Sequence, residues 1–350
     1  MIEKWIKQDI LKQQPYSVKM VDHKIKLNQN ESPWDWPDDI KKVITDRLFS
    51  VEWNRYPSLN PERLRATIAS YHSLSANQVL IGNGSNEILQ AIMNATILPG
   101  DYVCTLSPTF TIYRILAEQR GGRIISSFLS SSFEVDSTDL LAKSSKSRLT
   151  IICNPNSPTG TFYPLSSIEM LLKNTPGLVV IDEAYADFSG KTVMDFLSLY
   201  PNLIITRTFS KAFALAGFRV GYGLMAPDLA IEIQKCLLPF HFDIPSMVAL
   251  ETILDYPGLV RKRVTKIIKE RDRLITELNL IEGISALGSH TNFFLLKSTH
   301  GAEKIFEFLA NKSILIRDVS SYPGLEAMVR ITVGTPDENN TLIRAFQEMS

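Results

Sequence analysis

The feature that constrains this chain most is a regular alternation of short apolar runs and helical segments through residues 79–225. Runs rich in β-branched residues predict strands, and the segments between them have the apolar spacing of helices. This alternation is typical of a parallel sheet with helices on both faces. Several runs, such as "LVVID" at 178–182, are apolar without interruption, as expected for strands buried on both faces. The predicted strands are 79–82, 102–106, 149–153, 178–182, 203–209 and 219–225.

The chain changes character after residue 240. Residues 258–281 predict a long basic amphipathic helix, which we interpret as a strut between domains. Further strands are predicted at 292–297, 314–319 and 328–334. We therefore expect an α/β protein with a mostly parallel sheet in a large domain and a smaller α+β domain at the C-terminus. The expected divisions are an N-terminal arm at 1–30, the large domain at 31–240 and the small domain with its linking helix at 241–350.

Two helix starts carry capping signals. Asn60 stands before Pro61, which predicts a helix capped by the asparagine. Thr335, Pro336 and Glu338 have the spacing of a capping box with proline in the first turn. The N-terminal arm lacks a comparable pattern, and we expect it to pack against the small domain or a partner subunit.

Composition excludes several classes of function. The 37 basic and 37 acidic residues balance, so the chain lacks the basic surface of a protein that binds nucleic acid or an anionic membrane. Three widely spaced cysteines predict free thiols in a reducing compartment, and neither a disulfide framework nor a metal site. The first residues are charged throughout, and no apolar segment is long enough to cross a bilayer. We expect a cytoplasmic protein.

Polar residues follow three of the predicted strands. The first strand continues through Gly84 into a helix that begins with Ser85 and Asn86, and free backbone N–H groups there can hold a phosphate. Asp182 ends an apolar strand, with Tyr185 three residues later, and Ser210 and Lys211 follow another strand. Ligands of open α/β sheets bind outside the carboxyl ends of the strands. The three features therefore predict one shared site.

Each feature alone has a simpler explanation. The glycine turn could be an ordinary tight turn, and Glu87 replaces the third glycine of a dinucleotide-binding motif. Asp182 could cap a helix, Tyr185 could be a core residue, and Lys211 could extend its amine to solvent. Taken together, however, a phosphate seat, a carboxylate and a lysine among apolar neighbours match what pyridoxal phosphate needs. Desolvation would lower the pKa of such a lysine and leave it uncharged and nucleophilic.

Longer motifs carry a more specific resemblance. "NPNSPTG" (154–160), "DEAY" (182–185), "TFSKAFALAGFR" (208–219) and "VRITVGT" (329–335) resemble fold-type-I pyridoxal-phosphate aminotransferases, most of all those that act on histidinol phosphate. The resemblance covers nearly the whole chain. It implies that Lys211 forms a Schiff base with the cofactor, Asp182 pairs with the pyridinium nitrogen and Tyr185 bonds the ring hydroxyl. It also implies that Phe110 stacks on the ring, with Tyr113 as the second candidate for that role.

The same resemblance implies further contacts. The cofactor phosphate would be held by Ser85, Asn86, Ser210 and Arg219, and Tyr56 would reach the phosphate of a neighbouring subunit in a homodimer. Arg330 would bind the α-carboxylate of the donor, Arg317 and Tyr16 would bind a substrate phosphate, and Asn30 would line the site. Simpler explanations are surface charges for the two arginines and a core turn for Asn30.

The implied reaction moves an amino group between histidinol phosphate and 2-oxoglutarate, in histidine biosynthesis. The reverse direction uses imidazole-acetol phosphate and glutamate. Alternatives on the same fold are a broad aromatic-amino-acid aminotransferase and a phosphothreonine decarboxylase. A nicotinamide oxidoreductase and a non-catalytic binding protein fit the residues less well, because neither explains a desolvated lysine beside a phosphate seat.

The chain departs from the family pattern at two positions. Ser157 stands before Pro158 where the family has an asparagine that contacts the ring hydroxyl. Either Asn156 or Ser157 could make this contact, and we expect Asn156 because its amide has the longer reach. Asn86 replaces the usual aspartate of the glycine turn, which should preserve phosphate binding because asparagine also caps helices.

Overall fold

The computed structural model describes residues 2–17, 19 and 21–349. Its strands, labelled in chain order, are β1 (Ile25–Lys26), β2 (Val79–Asn83), β3 (Tyr102–Ser107), β4 (Arg123–Phe128), β5 (Leu149–Cys153), β6 (Leu178–Asp182), β7 (Leu203–Thr208), β8 (Val220–Met225), β9 (Ile284–Ala286), β10 (Phe293–Ser298), β11 (Ile314–Leu315), β12 (Arg317–Asp318) and β13 (Met328–Thr332).

The α-helices are α1 (Gln8–Leu11), α2 (Asp38–Phe49), α3 (Glu62–Tyr71), α4 (Ser85–Thr96), α5 (Ile112–Gln119), α6 (Ser137–Ser144), α7 (Leu165–Asn174), α8 (Ala186–Ser189), α9 (Pro227–Gln234), α10 (Ile244–Ile253), α11 (Pro257–Leu278), α12 (Ala302–Asn311) and α13 (Pro336–Gln347). Short 3₁₀ turns occur at Ile2–Lys4, Ala76–Gln78, Met194–Ser198 and Ala216–Phe218. None of the helices in the described ranges is long and apolar enough to span a membrane.

The large sheet has the strand order β2-β8-β7-β6-β5-β3-β4 among the described residues. Neighbouring strands from β7 through β4 are parallel, and β8 runs antiparallel to both β7 and β2. Strands β5, β6 and β7 are almost entirely buried, which explains their uninterrupted apolar sequences. The carboxyl ends of β2, β3, β5, β6 and β7 therefore share one edge of the sheet with the start of β8.

The C-terminal part contains an antiparallel sheet in the order β12-β13-β10-β9. Helix α11 contacts α8 beside the large sheet as well as β9, β10 and α13, so it bridges the two parts as expected. Thr335 and Glu338 form the predicted capping box of α13. The exact domain divisions at residues 30 and 240 stay a prediction.

The N-terminal arm has two contacts. Strand β1 pairs in parallel with β11 of the C-terminal part, as expected. Helix α1 instead packs against α5 beside the large sheet, where Gln13 donates to the Ile115 carbonyl oxygen at 3.3 Å. The arm therefore contacts the small domain as expected and, through α1 and Gln13, also the large sheet, a contact that the sequence did not indicate.

Three details of the predicted elements were also wrong. Strand β4 was missed, because its residues are only partly buried and include two serines. The predicted strand 314–319 is two strands that pair with different partners, β1 and β13. Helix α3 begins at Glu62 with Pro61 as the cap residue, and Asn60 does not cap it with its side chain. The Asn60 amide oxygen accepts a hydrogen bond from Gln234 instead.

Candidate active site

A cavity of about 210 Å³ lies at the carboxyl edge of the large sheet. It brings together most of the residues predicted from the sequence. These are Tyr16, Asn30, Ser85, Asn86, Phe110, Ser157, Asp182, Tyr185, Ser210, Lys211, Arg219, Arg317 and Arg330. A larger cavity of about 890 Å³ is lined by Asn156, but no lysine or arginine of the described chain lines it. The smaller cavity is therefore the candidate active site.

Lys211 lies just past the end of β7, in the loop that leads to β8. Its amine faces the cavity, and Nζ donates a hydrogen bond to the Gln29 carbonyl oxygen at 2.9 Å. Desolvation, with a smaller effect of the nearby Arg330 charge, lowers the pKa of Lys211 to about 7. The lowered pKa agrees with the expectation from the sequence that Lys211, among apolar neighbours, is desolvated.

The lowered pKa predicts unusual reactivity at neutral pH. About half of the Lys211 amine should be uncharged at pH 7, whereas ordinary lysines titrate near pH 10.4. In the apoprotein, reductive methylation of Lys211 should therefore rise through a midpoint near pH 7, as followed by peptide mass spectrometry. The exposed Lys235 is the control, and Arg330→Met should raise the midpoint by removing a neighbouring positive charge. A Lys211 midpoint near the ordinary lysine value of about pH 10 would contradict this assignment.

Asp182 ends β6 and is 3% exposed. Its Oδ2 accepts a hydrogen bond from the Tyr113 hydroxyl at 2.6 Å, and Oδ1 accepts from the Ala184 backbone N–H at 3.2 Å. Burial raises the pKa of Asp182, and the hydrogen bonds from the Tyr113 hydroxyl and the Ala184 backbone N–H oppose that rise. Because these donors favour the charged form, Asp182 is suited to face a cationic group.

Tyr113 was named only as the second candidate, after Phe110, to stack on a cofactor ring, and it does not line the catalytic cavity. Its side chain is completely buried. Phe110 does line that cavity, and Tyr113 meets it edge to face with ring centroids 5.6 Å apart. Tyr113 therefore supports two residues of the site, Asp182 through its hydroxyl and Phe110 through its ring.

Tyr185 and Asn30 join the two parts of the chain. The Asn30 amide donates to the Tyr185 hydroxyl at 2.9 Å. Asn30 is fixed in turn by Thr332 of β13, whose hydroxyl donates to the Asn30 amide oxygen at 3.1 Å. Burial raises the pKa of Tyr185 to about 12, and the positive charge of Arg330 opposes the rise. Tyr185 is therefore a neutral hydroxyl at the cavity wall, able to donate a hydrogen bond.

The start of α4 lines the cavity at the position where the sequence predicts a bound anion. Gly84 precedes Ser85 with φ +76°, and a Cβ there would lie 2.5 Å from Arg219 Nη2. A Cβ on Gly221 would lie 2.0 Å from the Ser85 backbone nitrogen, so both glycines permit this close packing. The Arg219 guanidinium donates to Ser210 Oγ at 3.1 Å and to the Ala216 carbonyl oxygen at 3.3 Å. A helix N-terminus beside an arginine favours a bound phosphate.

Two arginines stand side by side at the opposite wall. Arg317 of β12 is directly opposite Arg330 of β13 in the antiparallel register, so the two side chains share one face. The positive charge of Arg317 contributes to a lowered pKa of Arg330, although burial is the larger cause. Arg330 donates to the Asn28 carbonyl oxygen at 2.9 Å and to Ser157 Oγ at 3.3 Å. Buried Arg330 Nε has no hydrogen-bond partner within the described part of the chain.

Asn156 does not lie where we expected. Its amide is held by Thr109, Thr159 and the Pro108 carbonyl oxygen, at 2.7, 2.8 and 3.0 Å, and it does not line the catalytic cavity. Ser157 does line that cavity, next to Arg330. The structure therefore favours Ser157 over Asn156 as the residue that faces a cofactor. The longer reach of asparagine has no effect here, because its amide is already bound elsewhere.

This difference predicts opposite effects of two alanine substitutions. Asn156→Ala removes three hydrogen bonds, two of them buried, and should cost about 2 to 3 kcal/mol of unfolding free energy. Ser157→Ala should leave stability nearly unchanged and alter the pH dependence of the bound cofactor's absorption. Urea unfolding and spectrophotometric titration measure the two effects. If the two variants are equally stable and Asn156→Ala changes the spectrum more than Ser157→Ala does, the original expectation that Asn156 contacts the ring hydroxyl would be supported.

Tyr56 lies outside the cavity. Its side chain is 80% exposed, and its ring stacks on Phe240 with centroids 4.5 Å apart. Its predicted contact with the cofactor phosphate of a neighbouring subunit stays a prediction.

Several cavity residues were not predicted from the sequence. Gln29 offers only its backbone carbonyl group, and Tyr322 comes from the loop between β12 and β13. Neither residue type indicates a functional role in the sequence. The one local feature is that Tyr322 precedes Pro323 in the segment "SSYPG", which is typical of a turn. Asn28, Cys153, Ala184 and Thr208 complete the lining.

Comparison with known proteins identifies the family. The sequence profile described as aminotransferase class I and II matches residues 22–346. The chain belongs to this family. The histidinol-phosphate aminotransferase of Caldanaerobacter subterraneus subsp. tengcongensis is 36% identical over 352 residues, covering 100% of this chain and 99% of that protein.

Solved structures agree with this assignment. The histidinol-phosphate aminotransferase from Clostridium acetobutylicum has a TM-score of 0.86 at 26% identity, covering 93% of this chain and 98% of that one. The enzyme of the same name from Sinorhizobium meliloti, solved in complex with pyridoxal-5'-phosphate, has the same fold, with a TM-score of 0.85 at 24% identity over 93% and 91% of the two chains. The predicted fold class and the prediction of an aminotransferase are confirmed.

Proposed function

We propose that this chain is a pyridoxal-phosphate-dependent aminotransferase that exchanges an amino group between histidinol phosphate and 2-oxoglutarate, in histidine biosynthesis. The observation that carries the substrate class is the pair Arg317 and Arg330. Two cations directly opposite on one sheet face repel each other unless anions neutralise them. They line the same cavity as the Lys211 amine, whose pKa is lowered to about 7. Full-length relatives with the corresponding name support the proposal.

The residues fit pyridoxal phosphate at three points. Its phosphate would be held by the N-terminus of α4 together with Ser210 and Arg219. Because Gly84 and Gly221 have no side chains, the start of α4 can pack close to Arg219 and β8. Lys211 would bind its aldehyde, and Asp182 would accept from its ring nitrogen. When bound, the cofactor supplies an aldehyde for amino exchange and a ring that accepts electrons from the substrate.

The protein's own groups divide the remaining work. Lys211 Nζ has a pKa near neutrality, so at neutral pH it can take a proton from the donor α-carbon and would then donate it to a different carbon rather than return it. Asp182 keeps a negative charge opposite the ring nitrogen with the help of Tyr113. The neutral Tyr185 hydroxyl and Ser157 would donate to the ring hydroxyl, and Phe110 would cover one face of the ring.

The arginine pair would select substrates by their anionic groups. Arg330 can bind the α-carboxylate of glutamate through two parallel hydrogen bonds. Arg317 and Tyr16 would bind the phosphate of histidinol phosphate, which has no carboxylate. Because one guanidinium can bind either anion, this pair allows two different donors to use one cavity in turn.

A donor screen tests the substrate. The purified enzyme is given histidinol phosphate, histidinol, phenylalanine, tyrosine or phosphothreonine with 2-oxoglutarate, and glutamate formation is measured alongside carbon dioxide release. We expect kcat/KM to be highest for histidinol phosphate and to fall when its phosphate is absent. Higher values for aromatic amino acids would favour the broad aminotransferase, and carbon dioxide from phosphothreonine would favour the decarboxylase.

We also propose a homodimer with shared active sites. The segment from 49 to 59 exposes apolar side chains to an unusual degree, including Phe49 at 87%, Trp53 at 76% and Tyr56 at 80%. Mixing Lys211→Ala with Tyr56→Phe subunits tests the arrangement. If Tyr56 serves the partner's site, a mixed dimer has one site with both changes and one with neither, so activity should exceed that of either parent. The expected cytoplasmic location rests on composition and stays a prediction.

A further inference from the structure

One side-chain contact joins the two walls of the catalytic cavity. The Tyr322 and Thr111 hydroxyl groups form a hydrogen bond of 2.7 Å. Thr111 follows Phe110 and is the cap residue of α5, beside the large sheet. Tyr322 lies in the loop between β12 and β13, the strands that carry Arg317 and Arg330. The contact therefore connects the arginine pair with the residue that would stack on the cofactor.

Tyr322 also stands between two cavities. A second cavity of about 360 Å³ lies over the start of α5 and includes Arg114 and Pro323. Among the described residues, Phe110 and Tyr322 are the two that line both this cavity and the catalytic one. The two cavities therefore adjoin at these two residues, which we refer to as the partition.

The backbone around Tyr322 is well anchored. The Tyr322 N–H donates to the Val319 carbonyl oxygen at 3.0 Å, and the Leu325 N–H donates to the Tyr322 carbonyl oxygen at 3.0 Å. Val319 and Leu325 are buried in a small apolar cluster against which the Tyr322 ring packs. With both its backbone and its hydroxyl held, the ring has a fixed position at the cavity wall.

We propose that Tyr322 is a specificity-determining residue of this site. Held by Thr111, its ring closes the catalytic cavity toward the second cavity, and so excludes donors whose side chains extend beyond the arginine pair. The donors admitted are compact amines with an anionic group. This inference rests on the proposed aminotransferase function and narrows its substrate class. Removing the ring would make the second cavity continuous with the catalytic one and provide room for longer side chains.

Steady-state kinetics with donors of different length test the inference. Tyr322→Ala, Tyr322→Phe and Thr111→Val are compared with the wild type, using histidinol phosphate, phenylalanine and 4-biphenylalanine as donors. In Tyr322→Ala, kcat/KM for biphenylalanine relative to phenylalanine should rise roughly tenfold or more, mainly through KM. Tyr322→Phe and Thr111→Val keep the ring and should retain most of the selectivity. Tyr102→Ala, at the opposite end of β3, is the matched control.

Two results would overturn the inference. One is an unchanged ratio in Tyr322→Ala, and the other is an equal rise in Tyr102→Ala, which would indicate a general loosening of the fold. The comparison of phenylalanine with 4-biphenylalanine does not require that histidinol phosphate is the physiological donor. An enzyme inactive on histidinol phosphate would therefore contradict the proposed function while the partition is still tested by the two non-phosphorylated donors.

Discussion

Replacing Lys211 with alanine should lower kcat by roughly 10²- to 10⁴-fold, the range attributed to a positioned proton-transfer group. The physical reason is that the Lys211 amine is the cavity's one lysine nitrogen among the described residues, and its pKa of about 7 suits both attack on an aldehyde and proton transfer. Lys235→Ala, a change to an exposed lysine paired with Glu232, is the control and should have little effect. Turnover is measured with saturating cofactor, so that weaker cofactor retention is not mistaken for lost chemistry.

The assignment can be checked independently of turnover. Borohydride reduction of the wild-type enzyme followed by peptide mapping should place the pyridoxyl group on Lys211. The variant should also gain stability relative to the wild type as the pH falls. In the folded apoprotein the pKa of Lys211 lies below its unfolded value, so protonation opposes folding increasingly from about pH 10 down to pH 7. A label on another lysine would show that the assignment is wrong.

The central strands were predictable because strands buried on both faces have uninterrupted runs of apolar residues. Strands β5 and β6 have the predicted bounds, and β7 differs by one residue. Strand β4 carries no such signal, because it lies at the edge of the sheet and its residues are mostly half-buried. The close packing at the start of α4 was predictable for a related reason, since glycine before a helix start marks a backbone that must approach another group closely.

The residues that depend on tertiary contacts were harder to predict. Asn156 and Ser157 are adjacent in the sequence, and only the packing of Thr109 and Pro108 against Asn156 decides which of them faces the cavity. Tyr113 is three residues from Phe110, yet its hydroxyl reaches Asp182 on a different strand. No local pattern encodes a hydrogen bond between groups 69 residues apart. Family motifs predicted which residues line the site, whereas the structure shows how these side chains are held.

The Asp182–Tyr113 pair predicts a graded series of effects. Asp182→Asn preserves the shape of the side chain but removes its charge, so it should fold normally and lose on the order of 10²- to 10³-fold in kcat, comparable to the loss of a key electrostatic contact. Tyr113→Phe retains the carboxylate and removes one hydrogen bond to a charged group, which contributes about 1.5 to 3 kcal/mol. Its kcat should fall by roughly one to two orders of magnitude.

The pH dependence separates the electrostatic role of Tyr113 from a purely structural one. Burial raises the pKa of Asp182 and the Tyr113 hydrogen bond lowers it, so Tyr113→Phe should raise that pKa further. Asp182 is active as a carboxylate, and the acid limb of the kcat profile should therefore move to higher pH in this variant. Asp182→Asn has no carboxylate to titrate and should lose this limb.

The control for loss of a negative charge is Asp139→Asn, a change to a partly exposed aspartate that pairs with Lys143. Near-normal turnover in Asp182→Asn would mean that another group stabilises the ring nitrogen. An unshifted acid limb in Tyr113→Phe would mean that Tyr113 serves only to support Phe110.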